Sequence, residues 1–143
     1  MIITSPISQQ DFEKYYSLRW KLLRKPWKQP KGSERDELEE TAFHVMICEL
    51  DRNPIGIGRL HFNNDNEAQI RYMAVEKKYR RKGIGKLILS ELEKEAKNKQ
   101  IKLITLNARE SAVLFYQASG YTIRQPSHTL FNSIKHFKMI KNV

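Results

Sequence analysis

Ile70-Arg71-Tyr72-Met73-Ala74-Val75-Glu76-Lys77-Lys78-Tyr79-Arg80-Arg81-Lys82-Gly83-Ile84-Gly85-Lys86 is the stretch on which the fold turns. Ala68 to Val75 reads as a strand, Glu76 to Lys82 as a short loop, and Gly83-Ile84-Gly85 as the opening of a helix. A helix start leaves unpaired backbone N–H groups and a positive dipole end, which together favour a bound anion. Glycine at 83 and 85 removes side chains that would block close approach of the backbone to a ligand. Arg80, Arg81, Lys82 and Lys86 add positive charge around the same spot, and every element suits a pyrophosphate. The competing reading is a solvated charged loop ahead of a helix. Two other phosphate motifs are excluded. A dinucleotide fingerprint needs a third glycine where Ile88 stands, and a P-loop needs glycine and Ser/Thr where Arg80 and Leu87 stand.

Outward from this stretch, charge is segregated. The net charge is +10, yet Lys77 to Lys86 holds six basic residues and no acid, whereas Ser33 to Glu40 holds five acids and one arginine. Excess positive charge attracts nucleic acid, an anionic membrane or a phosphate-bearing cofactor. Its concentration at one helix start favours the cofactor. With no aromatic stacking series and no helix-turn-helix pattern, a basic nucleic-acid-binding domain is the weaker alternative. Apolar residues at 40% and charged residues at 29% describe a folded chain, and 143 residues make one domain, 1–143. Met1 to Tyr15 has no apolar leader and no run approaches bilayer length, so a cytoplasmic protein without membrane association is expected. Cys48 stands alone in an apolar run and is expected as a buried thiol. The separation of His44, His61, His128 and His136 gives no metal-ligand spacing, so no metal is expected.

Ile2 to Thr4 is a strand candidate, and Ser8 with Asp11 three residues on marks a helix start. Phe12, Tyr16, Trp20 and Leu23 form an apolar stripe at helical spacing, ended by Pro26. The acidic stretch 33–40 reads as a short helix or ordered turn. Ala42 to Leu50, Ile55 to Phe62 and Glu67 to Val75, joined by turn-rich segments, predict an antiparallel meander. Ile84, Leu87, Ile88, Leu92 and Ala96 predict a helix to about Asn98. Then come a strand at 101–106, a helix at 110–119 closed by Gly120, and strands at 121–123 and 134–140. The expected class is α/β, with a mixed, mostly antiparallel sheet and helices on both faces.

Arg80-x-x-Gly83-x-Gly85, after its strand, resembles the Gln/Arg-x-x-Gly-x-Gly/Ala signature of the GNAT acetyltransferases. Ala112-Val113-Leu114-Phe115-Tyr116-Gln117-Ala118-Ser119-Gly120-Tyr121 resembles the family's second block, Ala-x-x-x-Phe-Tyr-x-x-x-Gly-Phe, in the right order and at the right distance. The resemblance runs from about Ala42 to Tyr121. Leu18-Arg19, Pro26, Gly32-Ser33-Glu34 and Ile134-x-His136-x-x-Met139 are similar to an ElaA-like or YjcF-like branch.

The resemblance implies an acetyl-CoA-dependent N-acetyltransferase, with direct attack by a small-molecule or peptide amine in a ternary complex and no covalent acyl-enzyme. It implies that free backbone groups of Met73, Ala74 and Val75 pair with the pantetheine arm. The amides of Arg81, Lys82, Gly83, Ile84, Gly85 and Lys86, beside Arg80, hold the pyrophosphate. Tyr116 matches the tyrosine that serves the departing thiolate. A phenol titrates near 10 and a thiol near 8.5, so full proton transfer is uphill by about 2 kcal/mol and a hydrogen bond is easier to justify. Relatives often pair through edge strands, so the resemblance allows a homodimer and leaves the oligomeric state open.

Two departures stand out. Gln69 replaces a glutamate that many relatives use as base, leaving His44, Glu40, His61 and His136 as candidates. Holding a lysine amine neutral at pH 7 costs about 4.6 kcal/mol and an α-amine only about 1 kcal/mol, so a weakly basic acceptor needs less help. Arg109 stands where relatives place Asn or Gln against the pantetheine; it can donate but not accept, and Asn107 is a substitute. Both departures would also suit a catalytically degenerate CoA-binding regulatory module. Arg71, sharing a sheet face with Gln69, either binds a substrate carboxylate or pairs with an acid. The acidic stretch is either a rim that draws cationic amines or a solvated face.

Overall fold

The computed structural model describes residues 1–143. In chain order the elements are β1 (Ile2–Thr4), α1 (Gln9–Leu23), β2 (Phe43–Cys48), β3 (Pro54–Phe62), β4 (Glu67–Val75), α2 (Ile84–Asn98), β5 (Leu103–Arg109), α3 (Val113–Ala118), β6 (Thr122–Leu130) and β7 (Ile134–Asn142). One sheet runs β1-β2-β3-β4-β5-β7-β6, antiparallel throughout except for the parallel β4–β5 pair. This is the expected α/β class with a mixed, mostly antiparallel sheet.

Local chemistry accounts for the elements. Ser8 Oγ accepts from the Asp11 N–H at 3.0 Å, and the Asp11 carboxylate accepts from Ile7 and Ser8 in return, so α1 begins with a capping box. Period-two alternation in β2 sends Val45 and Ile47 to one face and Met46 and Cys48 to the other. The first pair joins Ile84, Ile88, Leu92 and Ala96 of α2 in the larger core, and the second joins Tyr15 and Leu18 of α1 in a smaller one. Helices therefore cover both faces. A Cβ at Gly58 would fall 2.6 Å from Ile88 Cγ2, so glycine is what lets α2 lie this close against β3.

Two irregularities in β4 shape the site. Arg59 pairs with Arg71 and Ile57 with Ala74, so β4 carries one extra residue between them, and Tyr72 sits there at φ +58°. On its other side β4 pairs with β5 only from Glu67–Leu103 to Ile70–Leu106. Beyond that point the two strands part and open a cleft.

Several boundaries differ from expectation. Residues 33–40 form hydrogen-bonded turns and no helix. The predicted helix at 110–119 starts with a 3₁₀ turn, Glu110–Ala112, before α3. It closes through Gly120 N–H to Gln117 O and Tyr121 N–H to Tyr116 O, both 3.0 Å, with Gly120 at φ +95°. β6 extends to Leu130, far past residue 123, because it pairs along β7 through a turn at Phe131 and Asn132, both at positive φ.

Candidate functional site

The loop into α2 is built from main chain. Arg81 and Gly83 both take left-handed conformations, φ +62° and +81°, a geometry glycine adopts without strain at 83. The N–H groups of Arg81, Lys82, Gly83, Ile84, Gly85 and Lys86 have no acceptor within the protein; the series resumes with Leu87 N–H to Gly83 O at 3.1 Å. A turn of successive free N–H groups at a helix start is an anion-binding concavity.

The loop borders a groove of about 650 Å³ lined by Met73, Ala74, Val75, Tyr79, Arg80, Arg81, Gly83, Ile84, Gly85, Lys86, Arg109, Phe115 and Tyr116, among others. A smaller cavity of about 150 Å³ lies where β4 and β5 part, lined by Arg24, Gln69, Arg71, Tyr72, Asn107, His128 and His136. Leu23, Met73, Arg109, Ala112 and Tyr116 line both. The two spaces thus meet at Tyr116. Its ring is buried and its hydroxyl points at Met73 Sδ, 3.5 Å away; burial pushes the phenol above its ordinary value, with Arg109 pulling the other way.

Of the predicted binding residues, two depart from the groove. Lys82 contributes main chain only, its ammonium lying 5.7 Å from the Tyr79 ring. Asn107 lines the smaller cavity, with its Oδ1 accepting from Ser127 Oγ at 2.9 Å, because it sits on β5 past the point where β4 has turned away. Ile84 is buried in the core, so it can offer only its N–H. The Val75 carbonyl is taken by Arg80 Nε at 3.0 Å.

Four candidate bases separate cleanly. His44 has both ring nitrogens engaged on the α1 face, Nδ1 with Tyr15 Oη at 2.8 Å and Nε2 with the Glu39 carbonyl at 2.7 Å. His61 Nδ1 is held by Arg59 Nη2 at 3.0 Å, and Glu40 borders a separate cleft with Phe12 and Tyr16. His136 alone of the four lines the cavity. Its Nδ1 faces the Ile134 carbonyl at 2.9 Å, which puts the proton of the neutral ring there and leaves Nε2 to accept. Burial lowers its pKa, with the His128 ring and the Arg109 charge adding to it and the Ile134 and His128 main chain opposing it, and its ring stacks on His128 with centroids 4.4 Å apart.

The acidic stretch divides: Glu37 and Glu40 are exposed to solvent, while Asp36 and Glu39 are engaged by arginines. Asp36 and Glu39 turn inward onto the buried Arg19 of α1 and Arg59 of β3, and Asp36 also meets the exposed Arg71 of β4. Asp36 binds Arg59 at 2.7 Å and Arg71 at 3.1 Å, while Glu39 binds Arg19 at 2.9 Å and Arg59 at 2.8 Å. Arg19 and Arg59 are fully buried. Burial works to raise the Asp36 carboxyl, but the Arg59 fork, the Leu38 N–H and Arg71 outweigh it and hold it at about 2. Arg71 is therefore paired with an acid.

Arg24 and His128 are the cavity residues that sequence reasoning missed. His128 was reachable in part: the hairpin of β6 and β7 through the turn at 131–133 brings it onto the His136 ring, at a bulge between Pro126 and Thr129. Arg24 follows the last helical residue of α1, and no local pattern marks it.

A mixed sheet that splays beside a helix start rich in free N–H groups, with a tyrosine at the end of the groove, defines an acyltransferase-type architecture. Residues 12–121 match the acetyltransferase (GNAT) family, and the chain belongs to that family. It is 28% identical over 135 residues to the uncharacterized N-acetyltransferase YjcF of Bacillus subtilis, covering 94% of this chain and 95% of that one. Among solved structures it superposes on a candidate N-acetyltransferase from Lactobacillus plantarum with a TM-score of 0.85 at 20% identity, covering 99% and 97% of the two chains. A GNAT family acetyltransferase from Elizabethkingia anophelis with acetyl-CoA bound gives a TM-score of 0.80 at 17% identity, covering 99% and 97%.

Proposed function

We propose that residues 1–143 act as one N-acetyltransferase domain that moves an acetyl group from acetyl-CoA to a primary amine by direct attack in a ternary complex. The carrying observation is the run of acceptor-free N–H groups from Arg81 to Lys86 at the mouth of a groove that ends at Tyr116. That donor set fits a diphosphate, and Arg80, Arg81 and Lys86 add charge without any carboxylate in the groove lining. Acetyl-CoA, when bound, supplies the activated thioester. The half-buried run of β4 from Met73 to Val75, unpaired on its β5 side and with Arg109 opposite, would guide the arm toward Tyr116.

Tyr116 Oη would hold its proton at the junction, where it can hydrogen-bond a leaving sulfur. Its raised pKa makes full donation costlier than for a free phenol, so hydrogen bonding is the role its burial favours. His136 Nε2 takes the place of the absent carboxylate: the ring is neutral near pH 7 and opens onto the cavity that an amine would enter. Cys48, fully buried on the α1 face with its thiol pushed up by burial, has no part in this scheme.

The test pairs thiol release from acetyl-CoA over a panel of amines with calorimetric binding of acetyl-CoA. Tyr116→Phe should lower kcat by about 10- to 100-fold while acetyl-CoA affinity stays within about threefold. Tight acetyl-CoA binding by the unmodified protein with no thiol release for any amine would instead favour a regulatory CoA-binding module.

A further inference from the structure

The small cavity beyond Tyr116 has an unusual charge inventory. Its titratable lining is Arg24, Arg71, Tyr72, Arg109, Tyr116, His128 and His136, with no aspartate or glutamate. Arg71 is already neutralised by Asp36 at 3.1 Å. Arg24 and Arg109 are not: neither has a carboxylate within 4 Å.

Arg24 carries the argument. It is only 8% exposed. Its Nε donates to the Ser33 carbonyl and Nη1 to the Leu23 carbonyl, both at 3.1 Å, while Nη2 has no partner in the protein. The guanidinium lies 5.7 Å from the Tyr72 and Phe131 ring centroids, and Glu34 acts on it only from beyond ion-pair distance. Burial lowers the pKa of both arginines; Arg71 and Arg19 add to the effect at Arg24, where Tyr72 and Glu34 offset it only in part, and Arg24 and Arg80 add to it at Arg109 against Tyr116. A buried cation beside a half-buried one that repels it is costly unless an anion joins them.

We infer, on the transferase reading above, that the acceptor is a small amine that also bears an oxyanion, a carboxylate or a phosphate, which docks against Arg24 with Arg109 beside it. The acyl donor does not meet this need at Arg24. Its phosphates belong with the free N–H groups of the loop, and Arg24 lines the small cavity but not the groove. The volume of about 150 Å³ admits a small group, and the same cationic lining repels polyamines and lysine-rich peptides. An acceptor that bears an oxyanion brings its own countercharge into the cavity, while its amine faces His136 and loses its proton before attack.

Matched acceptors test this on the unmodified protein: an α-amino acid against its carboxamide, 2-aminoethyl phosphate against 2-aminoethanol, and spermidine alone. The anionic member of at least one pair should be acetylated with kcat/KM at least about tenfold higher, and the two pairs distinguish carboxylate from phosphate. Arg24→Gln should lower kcat/KM for the anionic member at least about tenfold more than for its neutral partner, mainly through KM. Calorimetry with CoA present should show the same ranking in affinity. Preference for spermidine or for the neutral partners, or equal losses for both members in Arg24→Gln, would overturn the inference and leave acetyl transfer standing. No thiol release with any amine, despite measured acetyl-CoA binding, would overturn the transfer reading and this inference with it.

Discussion

His136 shows how one side chain acquires a role from its neighbours. The Ile134 carbonyl selects the tautomer, the His128 ring covers one face, and burial keeps the imidazole neutral. Its folded pKa lies below the ordinary 6.5, so the accepting form persists as pH falls to that value and is lost only further down. At saturating substrates kcat should therefore hold steady from pH 8 to about 6.5 and fall below it. His136→Gln should lower kcat by about 100-fold and erase that acid limb. An acid limb identical in the variant would remove His136 from the mechanism. In the proposed mechanism Gln69 cannot serve as the base: it lines the same cavity as His136, but an amide cannot take a proton.

At the scale of elements, the β4–α2 connection holds the anion site because it leaves its own N–H groups unpaired. Gly83 at φ +81° is the position that the turn depends on, and open space surrounds a Cβ built there. Gly83→Ala thus meets no steric neighbour and acts through the backbone alone, at about 1 kcal/mol. The expected outcome is a small drop in melting temperature with acetyl-CoA affinity reduced at least about fivefold; unchanged affinity would mean that the loop does not hold the phosphates. This connection was legible because strand, basic loop and paired glycines are contiguous in sequence, and the same locality made the Ser8 cap and the α2 stripe readable. The Tyr116 junction was legible through its block from Ala112 to Tyr121. Long-range pairing was not. The fates of Asp36 and Glu39 depend on Arg59 and Arg19, 23 and 20 residues away, and a local pattern of acids looks the same whether it faces water or buried guanidinium. The reach of β6 and the placing of His128 depend likewise on register against β7.

For the molecule as a whole, the Arg19–Glu39–Arg59–Asp36–Arg71 network ties the α1–β2 connection to the sheet, and that connection supplies Ser33, whose carbonyl anchors Arg24. Glu39 is the shared acceptor for two fully buried cations. Removing it leaves Arg19 without a carboxylate and Arg59 with Asp36 alone, and uncompensated buried charge of this kind costs about 3–5 kcal/mol, so Glu39→Ala should lose much of the folding stability in urea. The same network fixes the response to acid. Asp36, and Asp11 paired with Arg52 at 2.7 Å, are each held at about 2 against an unfolded value of 3.8. Carboxyls with depressed folded pKa values contribute stability that is complete above 3.8 and is lost as pH falls through 2. Urea midpoints should therefore fall steeply between pH 4 and 2 in the unmodified protein, and less steeply in Asp36→Asn, which gives up part of that contribution at every pH. Because the Arg24 anchor rides on the same connection, Asp36→Asn should also raise KM for the acceptor more than for acetyl-CoA. An equal rise for both substrates would mean that the network supports the fold without shaping the acceptor cavity.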